Sequence, residues 1–155
     1  MNTKRLFAAA VLVGLVGATV HAQSSDPLVG TWKLNVAKST GISFKSGTTK
    51  IEAAGAGVKF TVDIVGADGT VHHWAFTANY DGKDNPVVGS SPYGDMAAFT
   101  RIDARTIRVV SKQGGKPTVT QTIAVSGDGK TRTTATKGTD AKGQTIDTVA
   151  FYDKQ

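Results

Sequence analysis

The chain has 155 residues, of which 39% are hydrophobic, with no cysteine and a formal net charge of +6. The lack of cysteine excludes a disulfide-stapled fold and a thiolate metal site. The lysines are scattered through predicted turns, without the basic stripe and interleaved aromatic residues typical of nucleic-acid binding, so we expect no nucleic-acid partner.

The first predicted element is a secretory signal peptide over residues 1–22. A basic pair precedes an apolar run over 6–20, and Ala22 of "VHA" supplies a small residue at the exit site. The run is shorter than the roughly 20 apolar residues of a membrane-spanning helix, so we expect no stable membrane insertion. Cleavage before Gln23 would leave a domain over 23–155 in the periplasm or outside the cell. An uncleaved N-terminal anchor is the alternative.

Segments with an alternating apolar and polar pattern follow, bounded by Gly, Asp, Asn and Pro. The predicted strands are 28–36, 48–54, 57–65, 70–80, 86–89, 95–102, 105–112, 117–126, 130–138 and 144–153. Most connections are too short for anything except antiparallel neighbours. The sequence therefore predicts an all-β, antiparallel up-and-down meander of 8–10 strands, closed into a barrel that hides its edges. The alternative is a two-sheet sandwich.

The long connection 81–94 is a separate feature. It contains two prolines and follows an aromatic strand. In a barrel it would form either a flap over the mouth of a cavity or a rigid cap.

Alternation also predicts which side chains share the inner face of the barrel. They are Val58, Phe60, Val62, Ile64, His72, Trp74, Phe76, Tyr80, Val119, Gln121, Ile123 and Val125. Strand 130–138 instead offers threonines and Ala135 on either face. The predicted interior is thus aromatic and aliphatic on one side, with hydroxyls and an amide on the other. Such a lining suits a ligand cavity and also suits a filled barrel.

The start of the meander resembles the lipocalin family. "GTWKL", with Gly30 and Trp32, is similar to the Gly-x-Trp that opens lipocalins and the related fatty-acid-binding proteins, together called calycins. Four further segments resemble those of small exported bacterial lipocalin-like proteins. They are "DGKDNPVVGS" (81–90), "RIDARTI" (101–107), "GDGKT" (127–131) and "TDAKGQT" (139–145).

This resemblance implies that Trp32 packs across the closed end of the barrel, beside an arginine from a late strand. The final strand contains Lys154 and no arginine, so Arg101, Arg108 and Arg132 remain as candidates. The helix-turn-helix lid of fatty-acid-binding proteins has no counterpart, because "AKSTGISFKSG" is too short and too rich in Ser and Gly to form it.

No constellation in the sequence predicts a catalytic centre, a metal site or a cofactor. His72 and His73 are adjacent, so they point to opposite faces of a regular strand. "AVSGDGKT" (124–131) lacks the first glycine and the following helix of a phosphate-binding loop. "DGKDNP" (81–86) lacks the ligand spacing of a calcium loop.

We therefore predict an exported, non-enzymatic binding protein for a small hydrophobic or amphipathic molecule. Phe60, Trp74 and Phe76 would supply contact area, while His72 and Gln121 would supply hydrogen bonds. One alternative is an enzyme that uses the same cavity, with His72 as general acid or base. Another is a filled barrel that acts through its outer surface. The sequence specifies neither the ligand nor the oligomeric state.

Overall fold

A computed structural model describes residues 26–140 and 142–155, so the predicted signal peptide and its cleavage site lie outside the described residues. Every regular element in the described part is a strand. The strands are β1 (Gly30–Thr40), β2 (Phe44–Ala54), β3 (Gly57–Gly66), β4 (Val71–Ala78), β5 (Asp81–Pro86), β6 (Val88–Gly89), β7 (Met96–Asp103), β8 (Thr106–Gln113), β9 (Lys116–Val125), β10 (Thr131–Thr139) and β11 (Thr145–Lys154). Within these residues, no helix is long and apolar enough to cross a membrane.

The strands form one antiparallel sheet in the order β5-β7-β8-β9-β10-β11-β1-β2-β3-β4-β6. Consecutive strands pair from β1 to β4 and from β7 to β11, and β11 also pairs with β1. β4 lies beside β5 and β7 at the other end of this order, without a hydrogen-bonded ladder between them. The prediction of an all-β antiparallel meander is confirmed, and the sheet forms a nearly closed barrel.

The predicted number of 8–10 strands is wrong, because the sheet has 11. The difference lies in residues 81–94, here called the strap, where the sequence indicated one short strand at 86–89. The "DGKDNP" part of the strap has no alternating pattern, yet its backbone pairs with β7 as β5. Val88 and Gly89 then pair with β4 as β6. Edge pairing of this kind depends on backbone groups and requires no apolar face.

The inner face of β3 matches the alternation in the sequence. Val58, Phe60, Val62 and Ile64 are all buried, while the intervening Lys59 is exposed. This face forms one wall of a core that extends around the barrel.

The barrel end that carries the β2–β3, β7–β8 and β9–β10 hairpins is closed around Trp32, which is 0% exposed. The indole N–H of Trp32 donates a hydrogen bond of 2.8 Å to the carbonyl oxygen of buried Leu28. The guanidinium carbon of Arg132 lies 5.7 Å from the centre of the Trp32 ring, and Lys154 Nζ lies 5.0 Å from it. A Cβ at Gly30 would lie 2.5 Å from Lys154 Cε, so the glycine makes room for this lysine. Of the three candidate arginines, Arg132 is the one beside Trp32.

A salt bridge joins the segment before β1 to the rest of this closed end. The Asp26 carboxylate accepts hydrogen bonds from the Arg101 guanidinium and from the Tyr80 hydroxyl. The Arg101 guanidinium also lies 3.7 Å from the centre of the Tyr80 ring. Partial burial acts to raise the pKa of Asp26, but the hydrogen bonds from Tyr80 and Arg101 outweigh it and leave the pKa below its ordinary value.

A lowered pKa in the folded state makes this salt bridge sensitive to acid. Its contribution is fully present above about pH 4, the pKa of an unfolded aspartate, and is lost as the pH falls through the lower folded pKa. We expect Asp26→Asn to cost about 2 kcal/mol at neutral pH, and to show a smaller loss of stability than the wild type on acidification. Urea unfolding between about pH 3 and pH 6 measures both effects.

The matched control is Asp147→Asn, because the ion pair of Asp147 with Lys137 is largely exposed. We expect this variant to change stability by less than about 0.5 kcal/mol. An Asp26→Asn protein as acid-sensitive as the wild type would show that Asp26 does not cause the effect.

Candidate functional site

The barrel interior contains an inner cavity that adjoins a larger mouth. The volume open to the centre of a water molecule is about 60 Å³ in the inner cavity and about 510 Å³ in the mouth. On that measure the inner cavity has room for about four waters or for one small group of a ligand. The residues that line both spaces, and so mark their junction, are Ile42, Phe44, Ser91, Tyr93 and Thr148.

One side of the inner cavity is aromatic. Phe60 of β3 stacks on Phe76 of β4 with ring centres 5.1 Å apart. Phe99 of β7 lies 5.4 Å from the Phe60 ring and 5.2 Å from the Phe76 ring. Trp74 meets the ring of Tyr93, in the strap, edge-on at 6.3 Å. These rings pack against one another along one wall of the inner cavity.

The opposite side of the inner cavity is polar, and β10 supplies most of it. Arg132, Thr134 and Thr136 alternate along β10 and are all buried. Gln121 of the neighbouring strand β9 donates a hydrogen bond of 3.2 Å to the Thr136 hydroxyl. Thr49 reaches the same cavity from β2. The interior therefore has the mixed lining that the alternation predicted.

Arg132 is the most unusual group on this polar side, because it is 3% exposed and forms no ion pair with an acid of the described residues. It donates a hydrogen bond of 3.1 Å to the hydroxyl of Thr49, and its guanidinium carbon lies 4.0 Å from the centre of the Tyr152 ring. None of the ion pairs found among residues 26–140 and 142–155 includes Arg132. Its Nε and the hydroxyl of Thr134 have no hydrogen-bond partner in this part of the chain.

Burial lowers the pKa of Arg132 to about 10, and the nearby Tyr152 partly offsets that effect. The guanidinium therefore stays protonated at neutral pH. Burial also raises the pKa of Tyr152, so its phenol stays neutral and supplies no negative charge. The interior thus contains a positive charge that the described residues do not neutralise.

The structure brings together four of the five predicted ligand-binding residues. Phe60, Trp74, Phe76 and Gln121 all line the inner cavity. His72 lines the mouth instead, because it lies near the start of β4, at the rim of the barrel. The four inner residues line one cavity, and His72 lies at its mouth.

The histidines form separate local contacts. His72 Nδ1 lies 3.1 Å from the backbone carbonyl oxygen of Ser90, whereas His73 Nδ1 lies 2.6 Å from Oδ1 of Asp63 on the outer surface. In the described part of the chain, no carboxylate or hydroxyl is hydrogen-bonded to the ring of His72, as an oriented general acid or base would need. No cluster of three or more His, Asp or Glu side chains that could hold a metal occurs in the same part.

The sequence named Arg132 only as a candidate neighbour of Trp32, and its place in the cavity was missed because both faces of strand 130–138 contain small and basic residues. The signal that could have found it is the turn "SGDGK" (126–130). Residues paired across a hairpin share a face, and Val125 pairs with Arg132. Because Val125 was predicted to face inward, its partner Arg132 should face inward too.

Comparisons of this chain with protein-family models, with curated proteins and with solved structures found no match. The structure itself defines the class of this protein, which is a nearly closed antiparallel β-barrel with an inner cavity that is polar on one side and aromatic on the other.

Proposed function

We propose that this protein is an exported, lipocalin-like binding protein for a small, partly apolar molecule, which it holds without chemical change. We place it in the periplasm or outside the cell, following cleavage of the signal peptide. The observation that carries the proposal is the inner cavity, whose aromatic side faces a polar side and which adjoins an open mouth. A barrel filled by its own side chains would not combine an inner cavity with an adjoining mouth.

Binding would be driven by desolvation of apolar surface against the rings of Phe60, Trp74 and Phe76. The inner cavity is too small for a whole molecule of drug size, so a narrow part of the ligand would lie inside and the rest would occupy the mouth. We expect dissociation constants of roughly micromolar order.

The strap forms part of the wall at the junction of cavity and mouth. The Ser90 N–H donates to the His73 carbonyl at 2.8 Å, just after β6. At the other end of the strap, a Cβ at Gly94 would lie 2.1 Å from the Lys112 carbonyl oxygen, so the backbones are in close contact there. The hydroxyl of Thr118 also donates to the carbonyl of Tyr93. These contacts favour a fixed wall over a mobile flap.

Tryptophan emission tests the proposal, because the two tryptophans occupy different environments. Trp74 lines the inner cavity, whereas Trp32 is buried at the closed end. A ligand in the cavity should change the emission of the wild type and of Trp32→Phe strongly. It should change the emission of Trp74→Phe much less, because Trp32 does not line the cavity and only its neighbour Arg132 does. The titration would use medium-chain fatty acids, isoprenoids and aromatic acids.

Trp32→Phe is the matched control, because it carries the same substitution away from the cavity. If no ligand in this panel perturbs Trp74, the binding proposal is wrong. A change in Trp74→Phe as large as that in Trp32→Phe would place the ligand elsewhere and would contradict the proposed site.

A further inference from the structure

We propose that the ligand carries a carboxylate and that the inner cavity binds this group between Arg132 and Thr134. This inference rests on the proposed binding function and adds the chemical class of the ligand. The structure supports it with two buried polar groups, on one face of one strand, that lack partners among the described residues.

A buried charge is normally paired or fully hydrogen-bonded, because removal from water is unfavourable. The rings of Tyr152 and Trp32 attract the Arg132 guanidinium through their faces. Thr49 accepts from only one guanidinium nitrogen, and Nε has no hydrogen-bond partner among the described residues. The guanidinium therefore has donors left for an anion.

Thr134 supplies the second part of the site. It is two residues beyond Arg132 on the same inner face, which places the two side chains within about 7 Å of each other. A structural role for Arg132 beside Trp32 does not account for the unpartnered hydroxyl of Thr134. Both atoms are buried in the wall of the inner cavity, so small rotations of the two side chains would bring them to a ligand. One carboxylate has two oxygens, so it could then accept from both Nε of Arg132 and Oγ1 of Thr134.

The charge and the size of the site favour a carboxylate over other anions. Arg132 is the only ionised group among the described residues that line the inner cavity, so a singly charged anion balances it. A phosphate monoester carries more negative charge than this arginine neutralises. Chloride has no apolar part to contact Phe60 and Phe76. An amphipathic monocarboxylate uses both sides of the cavity, with its carboxylate innermost and its apolar part directed towards the mouth.

Titration calorimetry with octanoate and octanamide tests this inference, because the two molecules have the same tail and similar shape but differ in charge. We expect the wild type to bind octanoate at least about tenfold more tightly than octanamide. Thr134→Val should weaken octanoate binding by about three- to tenfold and octanamide binding by less, because the neutral amide oxygen forms the weaker hydrogen bond. Arg132→Met should abolish the preference for octanoate.

Thr133→Val is the matched control, since Thr133 precedes Thr134 on the opposite face of β10, and we expect it to alter neither affinity. Thr134→Val keeps the inference testable if Arg132→Met fails to fold. Equal affinity of the wild type for octanoate and octanamide overturns the carboxylate inference and leaves the proposed function standing. Binding of neither overturns the carboxylate inference, and the proposed function is then decided by the wider panel of the tryptophan titration. Equally effective competition by chloride or acetate would show an adventitious ion only and overturn the inference.

Discussion

Trp32→Ala is expected to lower the free energy of unfolding by about 3 to 5 kcal/mol. Trp32 is fully buried, and its replacement leaves a large cavity between Leu28 and Arg132. It also leaves the Leu28 carbonyl without its indole donor. Domains of this size are stable by about 5 to 15 kcal/mol, so the loss is a large share of the total. Denaturant unfolding, compared at equal slope, measures it.

Trp32→Phe separates the ring from the hydrogen bond. The phenyl ring keeps most of the apolar contact and loses the bond to Leu28, so we expect a loss of about 1 to 2 kcal/mol. A loss of under about 1 kcal/mol for Trp32→Ala, the level of a surface site, would contradict the burial of this side chain. The comparison with lipocalins would then have no structural support at the closed end.

The sequence predicted the strands well where alternation and turn residues agree. In β3, four apolar residues at every second position define one buried face, and no other register buries them. Short connections such as "DART" (103–106) and "SGDGK" (126–130) leave no room for a crossover. Local pattern and turn chemistry were therefore sufficient to predict an antiparallel meander.

The boundaries of β1 show where alternation fails. The predicted strand was 28–36, whereas β1 is Gly30–Thr40 and its register with β11 shifts between Asn35 and Thr40. Within that irregular stretch, Ser39 Oγ donates to the Asn35 carbonyl at 2.7 Å and accepts from the Phe151 N–H at 3.0 Å. A bulge breaks the period of two, so a pattern search ends at the bulge although the strand continues.

The inner cavity depends on packing between strands that are distant in sequence. Phe99 of β7 completes the aromatic side with residues of β3 and β4, while small threonines of β10 lie on the other side. Large residues opposite small ones can fill a barrel or leave a space, and the difference is a matter of a few ångströms. A sequence read one strand at a time contains no information on that distance.

Phe99→Ala should cost about 3 to 5 kcal/mol, because Phe99 is 0% exposed and contacts both Phe60 and Phe76. The control is Phe151→Ala, since Phe151 is only half-buried and does not line the inner cavity. We expect the control to lose about 1 kcal/mol. Similar losses in the two variants would contradict a central role for Phe99.

The volume left by Phe99→Ala should join the inner cavity, and this gives the variant a second, independent signal. An apolar cavity of that size binds small aromatic molecules, and a ligand that binds only the folded state raises its stability. We expect toluene to raise the Tm of Phe99→Ala and to leave the Tm of the wild type nearly unchanged, as measured by thermal unfolding at a fixed toluene concentration. If toluene has no effect on the variant, then Phe60 and Phe76 have collapsed into the space. The aromatic side would then be a deformable packing cluster, and it could not provide the preformed surface that ligand binding in this barrel requires.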